Sequence, residues 1–246
     1  HKFNYYDSIV VADINSNGII HQESFKTIKL DDFRKYVPWK ENIGGHKSID
    51  EHIGYINYNN MSYSNLGKAI RNLKNKKYLI LDCRGYNSSI ANLRLIHFMG
   101  NSKIHFAKSY KPNLEYPGVF HNPILINANI PNVTSTYKGI VIVLIDGQAI
   151  SAMESVLMAI EIRREDAVFI GSPTQGADGE QSLVILPGSI KIYFSGNNYQ
   201  YPNGIQLQRI GIQPDIYIEK TINSLKTNED TVLDYAIKYI DNLLSK

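Results

Sequence analysis

Two apolar runs constrain the fold of this chain more than any other feature. They lie within Tyr78–Asp82 and Ile140–Ile145, and strands without polar alternation are typical of a sheet that is covered on both faces. Apolar residues have helical spacing before the first run, at 63–73, and after the second, at 151–162, and a further strand is expected at 167–170. This alternation predicts an α/β (α+β) fold with a mainly parallel central sheet and helices packed on it.

The N-terminal part of the chain has a different pattern. Residues 1–45 predict short strands with a turn at 15–18, where Asn and Gly tolerate positive φ. Gly44-Gly45 is the candidate joint, so we expect a β-rich N-terminal segment, 1–45, and a main domain, 46–246. Four prolines predict an irregular excursion over 107–136. No apolar leader follows the first residues, so no signal peptide is expected within this chain.

Composition excludes several classes of protein. Hydrophobic residues make up 43% and charged residues 20%, a globular balance that rules out general disorder. The net charge is only +3 and the lysines are scattered, so no nucleic-acid partner is expected. The longest apolar run is far shorter than the roughly 20 residues of a membrane helix. With Cys83 as the single cysteine and no H-E-x-x-H pattern, we expect no metal site and no cofactor.

Ser151 lies at a position where nucleophiles are often found, between a buried strand and the start of a helix. The first amide groups of a helix have no intrahelical acceptor and can stabilise a developing oxyanion. The same residues also fit a second interpretation. Ser151 and Glu154 form an S-x-x-E pattern, which is typical of a helix capping box.

Three further segments accompany the serine in a fixed order. They are Asp82-Cys-Arg-Gly-Tyr-Asn-Ser-Ser89, Ile170-Gly-Ser-Pro-Thr-Gln-Gly176 and Gly211-Ile-Gln-Pro-Asp-Ile216. Together with Ser151-Ala-Met-Glu154 they resemble the S41 family of serine peptidases, over about residues 52–220. The resemblance is strongest to the C-terminal (tail-specific) processing peptidases, the tricorn core and Bacteroidota-type members. It implies a ClpP/crotonase-like core and a serine endopeptidase that cleaves peptide or protein substrates through an acyl-enzyme. Family members are usually exported, which implies the periplasm or cell envelope.

The resemblance assigns roles to individual residues. Ser151 matches the nucleophile, and the backbone N–H groups of Ala152 and Gly85 match the two oxyanion donors. Gln181 falls where the processing peptidases have a glutamine near their lysine. Further matched positions are Thr174, Gly176 and Asp215.

The chain also departs from the family pattern. The lysine that acts as the base in the processing peptidases is replaced by Ala177, and the family's Gly-Gly pair by Ser88-Ser89. In the tricorn-like branch a histidine upstream of a PDZ-like insert is the base, assisted by a glutamate, near whose position this chain has Gln206-Leu-Gln208. Residues 1–45 are therefore interpreted as a remnant of such a module. Among the internal histidines, His46 is the first candidate for an accessory base because it precedes a central strand.

Two alternatives to a peptidase remain open at this point. A catalytically degenerate relative would bind peptides or partner proteins without turnover, as the loss of the lysine at position 177 suggests. A crotonase-like acyl-CoA enzyme is disfavoured, because fold analogy is its main support and no CoA-specific pattern is visible. Asp82 and Arg84 are interpreted either as groups that position the oxyanion loop or as an ion pair that braces it, and Cys83 as a packing residue.

Overall fold

The computed structural model describes residues 9–16, 18–27, 44–128 and 136–245, which fall into two compact units. Within the described residues, the first unit comprises an N-terminal hairpin and residues 186–190. Its strands β1 (Ile9–Ser16) and β2 (Ile19–Lys26) pair antiparallel. The Gly18 N–H donates to Asn15 Oδ1 at 2.9 Å, so the predicted turn is confirmed. The boundary at 45/46 and the PDZ-like interpretation stay predictions, since residues 28–43 lie outside the described residues.

The second unit contains the larger part of the chain. The remaining strands of the described part of the chain are β3 (Gly45–Ser48), β4 (Ile53–Asn57), β5 (Tyr78–Asp82), β6 (His105–Tyr110), β7 (Ile124–Asn127), β8 (Ile140–Ile145), β9 (Val168–Gly171), β10 (Gln181–Leu186), β11 (Ile190–Ser195), β12 (Asn198–Gln200) and β13 (Ile216–Tyr217). Its helices are α1 (Tyr63–Leu73), α2 (Ala91–Met99), α3 (Ala152–Arg163), α4 (Ile222–Thr227) and α5 (Thr231–Leu244).

A six-stranded sheet in the order β13-β9-β8-β5-β4-β3 forms the centre of this unit. All neighbouring pairs are parallel except β3 with β4. The mainly parallel sheet expected from the sequence is therefore confirmed. Since parallel strands end at the same edge, the loops that follow β5, β8 and β9 lie side by side, and these loops carry three of the four sequence motifs.

Both faces of the sheet are covered, as the apolar runs predict. Leu79 and Leu81 of β5 pack in a core with helices α1, α2 and α3, whereas Tyr78 and Ile80 point to the other face and pack against α5. This alternation is the ordinary period of two along a strand. In the described part of the chain, no helix has the length and apolar character needed to cross a membrane.

The segment 107–136 is more regular than its prolines indicate. Strands β6 and β7 pair antiparallel and form a three-stranded sheet with β12. Pro112 and Pro123 lie just outside these strands, where a missing N–H costs no ladder hydrogen bond. The expectation of an irregular excursion is therefore wrong for 107–110 and 124–127, while residues 129–135 lie outside the described part.

Candidate active site

Ser151 stands at the carboxyl edge of the sheet, between β8 and α3, where the sequence predicts it. A tight turn leads to it, with the Gln148 N–H on Asp146 Oδ1 at 3.0 Å and the Ala149 N–H on the Asp146 carbonyl at 2.9 Å. Ala149 is buried and Ile150 is exposed, and Ser151 itself is half-buried. The serine is thus partly exposed at the start of a helix.

The backbone of Ser151 is strained. Its φ is 55° and its ψ is −122°, a conformation that costs a non-glycine residue on the order of 1–3 kcal/mol. Such strain persists only where the surrounding structure holds the residue in place, and it concentrates at functional sites. A sharp strand-to-helix turn of this kind presents a nucleophilic serine in other hydrolases.

The carboxylate of Glu154 holds this turn. Its side chain is fully buried, and Oε2 accepts hydrogen bonds from the Ser151 N–H at 3.1 Å and the Ala177 N–H at 2.9 Å. Oε1 accepts from the Thr174 hydroxyl at 2.6 Å and the Gly176 N–H at 2.7 Å. Four donors from two segments therefore solvate a charge that would otherwise be costly to bury.

The capping-box interpretation also fits the structure. The Ser151 N–H donates to Glu154 Oε2 at 3.1 Å, and the Ser151 side chain faces the Glu154 N–H, so both halves of a capping box are present. The contact of the hydroxyl does not reach the geometry of a full side-chain cap hydrogen bond. The same side chain is therefore both the helix cap and the candidate nucleophile.

Thr174 connects this network to a third motif. Besides donating to Glu154, its hydroxyl accepts from the Ile212 N–H at 2.8 Å, and its own N–H donates to the Ile212 carbonyl at 3.1 Å. Gly176 packs closely here: its φ is +67°, and a Cβ on it would lie 2.8 Å from the Gly211 nitrogen. The serine, threonine and G-I-x-P-D-I segments are thus one continuous hydrogen-bonded unit.

Position 177 is adjacent to the serine. Since the Ser151 and Ala177 nitrogens donate to the same Glu154 oxygen from 3.1 and 2.9 Å, they lie at most about 6 Å apart. Alanine offers no titratable group there. The network therefore positions the serine but supplies no base from this position.

Asp178, which follows, is the second carboxylate near the serine, and sequence reasoning missed it. It is almost fully buried, and burial raises its pKa to about 6, with the nearby Glu154 charge contributing in the same direction. Hydrogen bonds from the Ser155 hydroxyl at 2.5 Å and the Gly179 N–H at 2.7 Å oppose the shift. Its partner Ser155 lies one turn after Ser151, but nothing in the sequence marks a contact between residues 23 apart.

The loop after β5 carries the second proposed oxyanion donor, Gly85. An ion pair braces this loop, because the buried Arg84 guanidinium contacts Asp82 at 2.7 Å and Asp230 at 2.6 Å. Gly85 has a φ of +150°, and a Cβ there would lie 1.9 Å from Asn59 Oδ1, so glycine is required. Its N–H donates to the Cys83 carbonyl at 2.9 Å, and Cys83 is fully buried. A role as oxyanion donor stays a prediction and requires this N–H to turn from that carbonyl.

Similarity to known proteins agrees with the four motifs. The family description "Peptidase family S41" matches residues 52–218, more than half of the chain. The chain belongs to peptidase family S41. It is 25% identical, over 197 residues, to a carboxy-terminal-processing protease of Bartonella bacilliformis. That alignment covers 75% of this chain but only 43% of the relative, so the chain spans less than half of that protein.

Solved structures share the S41 fold. A putative peptidase from Parabacteroides merdae superposes with a TM-score of 0.69 at 21% identity, covering 86% of this chain and 70% of that one. The tricorn protease superposes with a TM-score of 0.54 at 17% identity, covering 98% of this chain and 23% of that one. At these identities the likeness shows the fold alone.

The fold brings two of the site residues expected from the sequence together and leaves two others, His46 and Gln181, on separate strands. Ser151 and Ala152 lie together at the start of α3, where the Ala152 amide belongs to the first turn and has no intrahelical acceptor. His46 is on the edge strand β3, three strands from β8, which is about 14 Å at ordinary strand spacing. Its Nε2 pairs with the Asn72 amide at 2.9 Å, so the structure does not bring His46 to Ser151. Gln181 is an exposed residue at the start of β10.

The Ser88-Ser89 pair, which replaces the family's Gly-Gly, has a local structural role. The Ser89 hydroxyl accepts from the Ala91 N–H and donates to the Met61 carbonyl, both at 3.2 Å. It therefore ties the start of α2 to the loop after β4.

Among the described residues, no group of three or more His, Cys, Asp or Glu side chains is arranged to hold a metal ion.

Proposed function

We propose that this S41 protein is a serine endopeptidase of the C-terminal processing, tricorn-like class, acting through an acyl-enzyme on Ser151. The observation that supports this most is the strained, partly exposed Ser151 at a helix start, held by the four-donor Glu154 carboxylate. A packing serine gains nothing from such strain, whereas a nucleophile does.

The chemistry follows the general route of serine hydrolases. Ser151 Oγ attacks the scissile carbonyl carbon as a base removes the hydroxyl proton, and the oxyanion forms beside the Ala152 N–H. The base then gives its proton to the leaving amine as the C–N bond breaks, and water hydrolyses the acyl-enzyme. Since Ala177 is no proton acceptor, the base is a residue outside the Glu154 network, and an upstream histidine, as in the tricorn-like branch, fits this requirement.

The experiment is active-site labelling of the full-length protein with a fluorophosphonate. Ser151 should carry the label in peptide mapping, and Ser151→Ala should lose both the label and the hydrolysis of an unfolded protein substrate. Ser155→Ala, one turn further along α3, is the matched control and should retain the label. A folded protein that leaves Ser151 unmodified under conditions that label a known serine hydrolase would refute the peptidase function.

A degenerate, peptide-binding relative is the second candidate, favoured by Ala177 and by the Gly85 N–H being bonded to Cys83. Peptide affinity that is equal in the wild type and in Ser151→Ala, with no turnover in either, would establish it.

We also propose that the protein acts in the periplasm or cell envelope, as exported S41 members do. Fractionation of producing cells tests this, and recovery with cytoplasmic markers would contradict it.

A further inference from the structure

A groove of about 370 Å³ lies along the flank of α3, away from Ser151. Its walls include Ile162 of the helix together with Ile205 and Ile210, which are both more than half exposed. Gly211 also lines the groove, and it packs against the Thr174 carbonyl of the Glu154 network. Gly211 therefore connects the groove to the Thr174 part of the Glu154 network.

One charge faces this groove, whose lining combines the three isoleucines with the polar side chains of Tyr201, Asn203, Gln206 and Gln213. Among the described residues that line the groove, Glu161 is the charged one, and its Oε2 accepts from the Tyr201 hydroxyl at 2.7 Å. Within the described part of the chain, no Lys or Arg nitrogen lies within ion-pair distance of Glu161. Burial raises the pKa of its carboxyl, and the Asp215 charge contributes, against the Tyr201 hydrogen bond. A half-buried carboxylate with a phenol as its partner can still accept a cationic donor.

We propose that this groove binds the side chain of a lysine or arginine residue of a polypeptide. The two long side chains combine an apolar stem with a cationic head. The stem fits against Ile162, Ile205 and Ile210, and the head reaches Glu161, which lies about 15 Å along α3 from Ser151. The groove is thus a second contact point for a polypeptide, apart from the serine, and binding there is independent of turnover.

Isoleucine-methyl NMR tests this directly, because three isoleucines line the groove and Ile80 and Ile142 lie in the sheet core as internal controls. The Ser151→Ala protein is titrated with an acetylated, amidated heptapeptide containing a central lysine or arginine. The methyl signals of Ile162, Ile205 and Ile210 should shift and saturate. The same peptide with norleucine, which keeps the stem and lacks the charge, should bind about tenfold more weakly or worse.

Two variants test whether binding depends on the charge of Glu161 rather than on the shape of the groove. Glu161→Gln keeps the shape and a hydrogen bond with Tyr201, and should weaken lysine-peptide binding to the norleucine level. Tyr201→Phe frees the carboxylate and should retain or strengthen binding. Equal shifts with lysine and norleucine, an unchanged affinity in Glu161→Gln, or no shift of the groove methyls would each overturn the proposal. Because Ser151→Ala is used throughout, these outcomes do not depend on whether Ser151 is catalytic.

Discussion

Replacement of Glu154 by glutamine is the most direct test of the network around the serine. The side chain keeps its size, but one carboxylate oxygen becomes an NH2 group that faces two donors. If that group takes the Oε2 position, the Ser151 and Ala177 N–H groups lose their acceptor; in the other orientation the Gly176 N–H does, while the Thr174 hydroxyl can turn and accept from the NH2 group. One or two hydrogen bonds to a charged group are lost, and the others become bonds to a neutral amide.

The expected loss of stability is large. Hydrogen bonds to charged groups contribute about 1.5–3 kcal/mol each, so one or two lost bonds amount to about 1.5–6 kcal/mol, reduced by the relief of burying a charge. We therefore expect a decrease of about 2–5 kcal/mol in the free energy of unfolding, measured by urea denaturation. Since domains are stable by only about 5–15 kcal/mol, Glu154→Gln should be markedly destabilised.

The reactivity of Ser151 toward fluorophosphonate should fall as well. With either half of the network broken, the contacts that hold the Ser151 backbone at φ 55° are weakened, so fluorophosphonate labelling below the unfolding transition should slow at least tenfold. Glu161→Gln on the same helix is the control, because that side chain is half-buried and has a single hydrogen-bond partner; it should change stability by about 1 kcal/mol or less. If Glu154→Gln unfolds within 1 kcal/mol of the wild type and labels at the same rate, the carboxylate does not hold the turn.

Two further predictions concern the neighbouring positions. Ala177→Lys places an amine beside Ser151 and should speed fluorophosphonate labelling about tenfold, most strongly at alkaline pH. The control Ala177→Met, whose side chain is also long but has no amine, should not change the labelling rate. Equal rates for the two variants would argue against the closeness of position 177 to Ser151. For Asp178, the folded pKa of about 6 lies above the ordinary 3.8, so the native state binds the proton more tightly. Its contribution to stability is full below about pH 4 and is lost as the pH rises through 6, on the order of 2–3 kcal/mol. Urea unfolding of the wild type and Asp178→Asn at pH 4 and 7.5 should show this difference, and parallel pH profiles would exclude it.

Local patterns were sufficient for strands β5, β8 and β9 of the central sheet, but not for its edge strands β3 and β13. Strands β5 and β8 are apolar on both faces, and a run of consecutive apolar residues in the sequence is enough to predict such a strand. Strands β6 and β7 were missed because their third partner, β12, is about 90 residues further along the chain, and no local pattern records such pairing.

The site was predictable only in part. Ser151 at a strand-to-helix junction follows from the sequence, since the apolar run and the helical spacing meet there. The Glu154 carboxylate looks like a capping residue in sequence because its other partners, Thr174 and Gly176, are 20 and 22 residues away. The position of His46 could not be inferred, because it depends on the order of strands in the sheet rather than on the residues around it.

The ion pair between Arg84 and Asp230 spans 146 residues of chain. Asp230 is also the N-cap of α5, the helix that covers one face of the sheet. A contact of such sequence separation forms late, after the intervening chain has been synthesised and packed. The Gly85 loop is therefore fastened only when the C-terminal helix arrives, so a nascent or truncated chain would lack the ion pair that braces this loop.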